Sequence, residues 1–222
     1  MSTDSNKNQG KSEVSQASSP ATDSVFEFAV AIAKYQKWFP DVDAMAIERL
    51  ATYTRELLKA NKTVNLISAT TIKTAETVHF ADSVIAARLI EKNMVPGAPL
   101  YDFGSGNGLP GLVFAILYPQ HKVVLVDRDQ RKLEFCKGLV SALRLTNVTV
   151  QLLSVEDLPD ASVKNAVGRG FAALSRAMIV ARKPLSKGGK FFHMKGDGWA
   201  NELAQVPSQL FTFWSPSLLG QY

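Results

Sequence analysis

From position 100 onward, short apolar runs alternate with segments of helical periodicity. Residues 100–103, 122–126, 148–153 and 190–194 read as strands, with a further short strand centred on 166–167 and another at 210–214. Between them, 111–117, 130–143, 171–182 and 199–205 carry the spacing of helices. This alternation predicts an α/β fold, a mostly parallel, Rossmann-like sheet with helices on both faces and ligands at the carboxyl ends of its strands.

The first hundred residues follow a different pattern. Residues 1–23 are Ser-, Asn-, Gln- and Thr-rich with almost nothing to bury, which predicts a disordered tail. Ser24 and Glu27 form an S-x-x-E capping box ahead of an apolar-rich run to Phe39, which Pro40 breaks. Asp43 can cap a second helix, on which Met45, Leu50, Tyr53, Leu57 and Leu58 repeat at roughly helical spacing. After a turn at 61–68, a third helix is expected over 76–91, ending before Pro96-Gly97. The chain therefore divides into a tail (1–23), a helical cap (24–97) and an α/β ligand-binding domain (98–222).

Composition removes several classes. Among the 222 residues the one cysteine, Cys136, rules out a disulfide framework. Three well-separated histidines, His79, His121 and His193, assemble no zinc-ligand spacing, so no metal site is expected. No apolar run approaches the ~18 residues of a membrane helix, and no apolar segment follows Met1 as in a secretory signal. The cytoplasm is the expected compartment. The net charge of +5 is uneven, with 11 Lys/Arg against 12 Asp/Glu up to position 119 and 14 against 8 beyond it. Between Lys164 and Lys195 stand eight basic residues and no acid, which points weakly to a polyanionic partner meeting that rim.

The candidate chemistry centres on Asp102 through Gly111, at the end of the first predicted strand. Gly104, Gly106 and Gly108 allow close approach of a ligand to the main chain, and Pro110 suits the first turn of a following helix. The spacing is G-x-G-x-G. A dinucleotide fingerprint needs glycine where Leu109 stands, which weakens a dehydrogenase reading. Asp127 ends the second strand, where an acid bonds ribose hydroxyls; it can equally cap the next helix, a job for which Asp129 competes. Val155 and Glu156 follow the third strand, in position to flank an adenine or to form a plain solvated turn. In this order the three pieces look like the S-adenosylmethionine site of a class I methyltransferase.

Beyond the site itself, the sequence resembles the RsmG (GidB, glucose-inhibited division protein B) family of 16S rRNA guanine-N7 methyltransferases over roughly residues 43–222. The resemblance is carried by Asn61-Lys62, Asn65-Leu66-Ile67-Ser68, His79-Phe80-Ala81-Asp82-Ser83 and the 102–111 stretch. It continues in Arg131-Lys132 with Phe135, Val155-Glu156-Asp157-Leu158, Arg169 with Phe171-Ala172, and Lys195-Gly196. Gly168-Arg169-Gly170 replaces the family's more usual Ser-Arg-Ala, and Arg131-Lys132 stands where Lys-Arg is common. The chain also stops at Tyr222, about one strand short of the family's usual end.

The resemblance implies cofactor contacts at Gly104, Leu109, Val155, Glu156 and Arg169. It implies 16S rRNA, naked or in the small ribosomal subunit, as the substrate. Guanine N7 already holds an in-plane lone pair, so no catalytic base is expected, and no cysteine nucleophile is placed for C5 chemistry, since Cys136 falls mid-helix. Arg131, Lys132 and Lys195 are the candidates for RNA phosphate. Phe171 and Phe103 can stack a base but more often belong to a core. His79 and Asp82 fall at i, i+3 and read best as fastening the cap to the sheet domain. Two rivals stay open: a methyltransferase for a small molecule or protein, and a non-catalytic RNA-binding or ribosome-assembly factor.

Overall fold

The computed structural model describes residues 26–220; the predicted tail and Ser24 of the expected capping box lie outside the described residues. Helix α1 (Phe28–Trp38) starts after Glu27, whose side chain makes no capping bond. In α2 (Ala44–Ala60) Asp43 is the cap, accepting from the Ala46 N–H at 3.0 Å. Ile47, Leu50, Ala51, Tyr53 and Leu57 form its buried stripe, three and four residues apart.

The expected helix at 76–91 is in fact two pieces. A 3₁₀ turn (Ala69–Thr74) leads into a π-turn (Glu76–Ala81), and only then does α3 (Asp82–Asn93) begin. The wider π-turn carries one extra residue, so helical periodicity across 76–91 could not distinguish it from a regular helix.

Five parallel strands follow: β1 (Leu100–Phe103), β2 (Val123–Asp127), β3 (Val148–Leu152), β4 (Val163–Arg169) and β5 (Leu185–Met194). They lie in the order β3-β2-β1-β4-β5, every neighbouring pair parallel. The connections are α4 (Gly111–Leu117), α5 (Gln130–Ala142) and α6 (Leu174–Ala181), with a 3₁₀ turn (Val155–Asp157) after β3. The chain builds outward from β1 to β3 and then returns to pair β4 with β1. That reversal of strand order puts the carboxyl ends of β1 and β4 at the switch point, the place where ligands of doubly wound sheets bind.

Two apolar layers hold the sheet. On one face, α4 is buried almost along its whole length and shares a single core with α2 and α3 and with Leu100, Val123, Leu125 and Val167. On the other face Phe103, Val124, Val126, Val163 and Ala166 pack with Val180 and Ala181 of α6. Buried Asn165 of β4 accepts from the Val95 N–H at 2.7 Å and donates to the Val95 carbonyl at 3.0 Å. This single side chain fastens β4 to the segment that leads from α3 into β1.

Two further expectations need correction. The helix expected from 171 begins at Leu174, because Gly170 takes a positive φ of 63° and Ala173 is extended. The strand expected at 210–214 is a 3₁₀ turn (Ser208–Thr212) after α7 (Trp199–Ala204). There Leu210 donates to Pro207 and both Phe213 and Trp214 to Leu210, so the backbone is satisfied locally and joins no ladder. Among the described residues β5 is the edge of the sheet.

Candidate functional site

The glycine-rich loop follows β1 directly and is tied down on three sides. Towards β2, the Gly106 N–H donates to Asp127 Oδ2 at 2.7 Å, while Asp127 Oδ1 accepts from the Asp129 N–H at 2.9 Å. Asp129 is the cap of α5, its Oδ1 accepting from Arg131 and Lys132 at 3.0 and 3.3 Å. The competition between the two acids is therefore resolved: Asp129 caps the helix, and Asp127 bridges the glycine loop to it. Each oxygen of Asp127 keeps further lone-pair capacity for a ligand hydroxyl.

Beneath the loop, the Gly111 N–H donates to Asp102 Oδ2 at 2.9 Å. Asp102 is fully buried, and its Oδ1 has no partner among the described residues. Burial drives its carboxyl up to about 7, the Gly111 bond pulling it down only in part and Asp127 adding repulsion. Ser105 Oγ is a second buried atom at this loop without a partner among the described residues. Cys136 of α5 donates its thiol to the Gly106 carbonyl at 3.4 Å, and burial pushes the thiol pKa upward.

Towards the N-terminal helices, Tyr53 donates its hydroxyl to the Asn107 carbonyl at 2.5 Å. The Asn107 amide donates to Leu66 at 3.1 Å and its Oδ1 accepts from the Leu109 N–H at 3.1 Å. Gly108 between them has a φ of 89°, and a Cβ there would lie 2.8 Å from the Tyr53 hydroxyl and 2.5 Å from Leu112. Gly104, at φ 66°, is equally enclosed, with a Cβ 2.7 Å from the Phe171 ring. Only glycine fits either place.

The remaining candidates spread along the carboxyl edge. Val155 is buried at the end of β3, whereas the Glu156 carboxylate is half exposed and pairs with Arg176 at 3.2 Å. Arg169 ends β4, but its Nη2 donates to His79 and to the Val78 carbonyl at 3.1 Å, with Asp82 at 4.0 Å from Nε. The expected fastening through His79 and Asp82 therefore has Arg169 as its sheet-side partner. Lys195, after β5, is engaged too: it donates to Ala172 at 2.9 Å and pairs with Glu202 at 2.8 Å. It lines an open cleft of about 460 Å³ with Trp199, Asn201 and Gln205. Arg131 and Lys132 line another of about 370 Å³, whose opposite wall is Thr63, Val64 and Asn65.

Comparison with known proteins gives this geometry its context. The family described as rRNA small subunit methyltransferase G (GidB) matches residues 46–213. The chain belongs to that family. A ribosomal RNA small subunit methyltransferase G 3 of Bdellovibrio bacteriovorus is 46% identical over 189 residues, 85% of this chain and 86% of that protein. A ribosomal RNA small subunit methyltransferase G of Paracoccus denitrificans is 37% identical over 161 residues, 72% and 82% of the two chains. A solved structure from Methanococcus maripaludis, described as a putative S-adenosylmethionine-dependent methyltransferase, shares the fold at a TM-score of 0.50. It is 17% identical and covers 68% of this chain and 70% of that one. The architecture is that of a class I methyltransferase.

In this GidB chain, three residues at the site escape a reading of the sequence. Tyr53 sits on the apolar stripe of α2, where its ring counts as core and its hydroxyl goes unnoticed. Asn107 stands between two glycines, which draw attention from it. Thr71 lies in a polar turn, yet its Oγ1 is 2.8 Å from His79 Nε2. A polar atom on an otherwise buried residue is the only signal that marks the first of them.

Proposed function

We propose that this chain transfers a methyl group from S-adenosylmethionine to guanine N7 of 16S ribosomal RNA, acting in the cytoplasm on the RNA or the small ribosomal subunit. The observation that carries the reading is the glycine loop held by Asp127, Tyr53 and Asn107 at the β1/β4 switch point of a chain in the GidB family. The residues fit the cofactor. Gly104 and Gly106 stay partly exposed and leave the main chain approachable, whereas Gly108 is buried against Tyr53 and Leu112. Leu109 and Val155 are nearly buried apolar walls, and Asp127 is the acid in place for the ribose. The unpartnered Asp102 Oδ1 and Ser105 Oγ are the buried polar atoms there with hydrogen-bonding capacity to spare. Glu156 and Arg169 complete the set at the flanking strands.

When bound, the cofactor supplies a sulfonium methyl as the electrophile. N7 needs no base, so the chain's part is to align the two substrates and exclude water. Phe103 is fully buried in the core, and Phe171, its ring centroid 6.2 Å away, is the partly exposed aromatic beside the loop. An arginine forked onto guanine O6 and N7 would occupy the attacking lone pair, so recognition belongs to other base edges. Arg131 and Lys132, with no ion pair of their own among the described residues and a cleft before them, are the phosphate contacts this geometry favours. Lys195, neutralised by Glu202, ranks below them.

The test is methyl transfer from a labelled donor to small subunits and to naked 16S rRNA, with the product located by the strand scission that N7-methylguanine undergoes after reduction and aniline treatment. Label at guanine N7 supports the reading. A folded chain that binds the donor and leaves guanine N7 unlabelled sinks it.

A further inference from the structure

Arg169 closes β4 at the switch point, its side chain still 20% exposed. Its guanidinium has five N–H donors. Nη2 carries two of them, and those go to His79 Nδ1 and the Val78 carbonyl. Nε lies at the loose distance of 4.0 Å from Asp82. Among the described residues nothing takes the pair of hydrogens on Nη1. We propose that His79 is a positioning residue for Arg169, holding the guanidinium so that Nη1 meets an oxyanion of the bound substrates. The proposal rests on the assignment of Arg169 to the ligand site at the switch point. That oxyanion is either the cofactor's methionine carboxylate or an RNA phosphate.

The direction of every bond in this chain is determined. A guanidinium only donates, so His79 Nδ1 must be bare, and the ring proton must sit on Nε2. Nε2 in turn donates to Thr71 Oγ1 at 2.8 Å. The Thr71 hydroxyl spends its own proton on the Ser68 carbonyl at 3.1 Å, so its oxygen is left to accept from Nε2 and supports the tautomer that can receive Arg169. Burial first, and the Arg169 cation second, push the imidazole down to about 4, so it stays a neutral acceptor at working pH. The π-turn brings the Val78 carbonyl and the His79 ring to one nitrogen; such turns concentrate at functional sites. A plain fastener between helix and sheet would be served by the Asp82 ion pair alone. It would have no use for a tautomer set from a third residue.

The experiment uses the full chain and three variants, His79→Leu, His79→Asn and Thr71→Val, measuring KM for S-adenosylmethionine, KM for small-subunit RNA and thermal stability. Donor binding by the unaltered protein is measured first by calorimetry; its absence removes the assignment of Arg169 and this proposal together. Given binding, His79→Leu is expected to raise one KM about tenfold, the size of one hydrogen bond to a charged group, and to leave the other unchanged. A rise for the donor identifies the carboxylate, and a rise for RNA the phosphate. His79→Asn, whose Oδ1 can replace Nδ1 as acceptor, should restore most of the loss. Thr71→Val, which frees the tautomer, should fall between the two and carries the test if His79→Leu does not fold. Unchanged KM values overturn the proposal. So do equal rises in both that follow lost stability, with Asn no better than Leu.

Discussion

Asp102 stands at the end of β1 as an acid that burial keeps partly protonated, its pKa raised to about 7 from an unfolded value near 3.9. A carboxyl raised on folding favours the folded state below its unfolded pKa and loses that advantage as pH climbs through the folded one. The group therefore works against stability above pH 7. Replacing it by Asn keeps an acceptor for the Gly111 N–H and removes the charge. Asp102→Asn is expected to raise the melting temperature relative to the unaltered chain more at pH 8 than at pH 5; scans at both pH values decide it, and an equal effect at both contradicts the assignment. The sequence marked this residue only as part of a motif. Its burial follows from α4 and the strands closing over it, which no local pattern reveals. Gly104, Gly106 and Gly108 were legible because backbone freedom leaves a direct trace in residue type.

Between elements, what could be read depended on where the hydrogen bonds go. Strands β1 and β2 and helices α4 and α5 match their apolar periodicity, since sheet and core satisfy them in the regular way. The π-turn at Glu76–Ala81 and the 3₁₀ turn at Ser208–Thr212 do not, because their carbonyls are met by partners set locally or across space. The contact of α2 with the glycine loop belongs to the same class. Tyr53→Phe keeps the buried ring and deletes its bond to the Asn107 carbonyl. Its expected cost is about 1 kcal/mol in denaturant unfolding. It should also raise KM for the methyl donor while leaving KM for RNA alone, since the loop and not the outer rim loses its support. Equal KM values for the variant and the parent chain would show that the loop holds its shape without α2.

Across the whole molecule, counting charge along the chain overstated one rim and understated another. The acid-free run from Lys164 to Lys195 is largely occupied in space. Arg176 meets Glu156, Lys183 meets Asp160 and Lys195 meets Glu202, all acids from outside the run. Lys164 and Lys190 reach backbone carbonyls, and Arg182 covers the Phe213 ring at 3.7 Å. Among the described residues Arg131 and Lys132 keep their cleft without such partners. They also sit at the start of α5, where a cation opposes the helix dipole, so helix stability does not account for them. The double substitution Arg131→Ala, Lys132→Ala should lower the slope of log affinity for RNA against log salt by about 2, close to one released counterion per lost contact. Donor affinity should not change. An unaltered slope would move the phosphate contacts elsewhere on the surface.

Cys136 is the sole thiol of the chain, and it lies under the loop that the methyl donor is expected to cover. Buried and held to the Gly106 carbonyl, it is a poor nucleophile while that loop is closed. The molecule therefore carries its own clock. Alkylation by a small maleimide requires the bond to Gly106 to open and the thiol to reach solvent, so reaction in native buffer should be far slower than in urea. Saturating donor should slow it again, with no change in the rate measured on unfolded chain. A labelling rate indifferent to the donor would mean that the loop opens by a motion the ligand does not oppose.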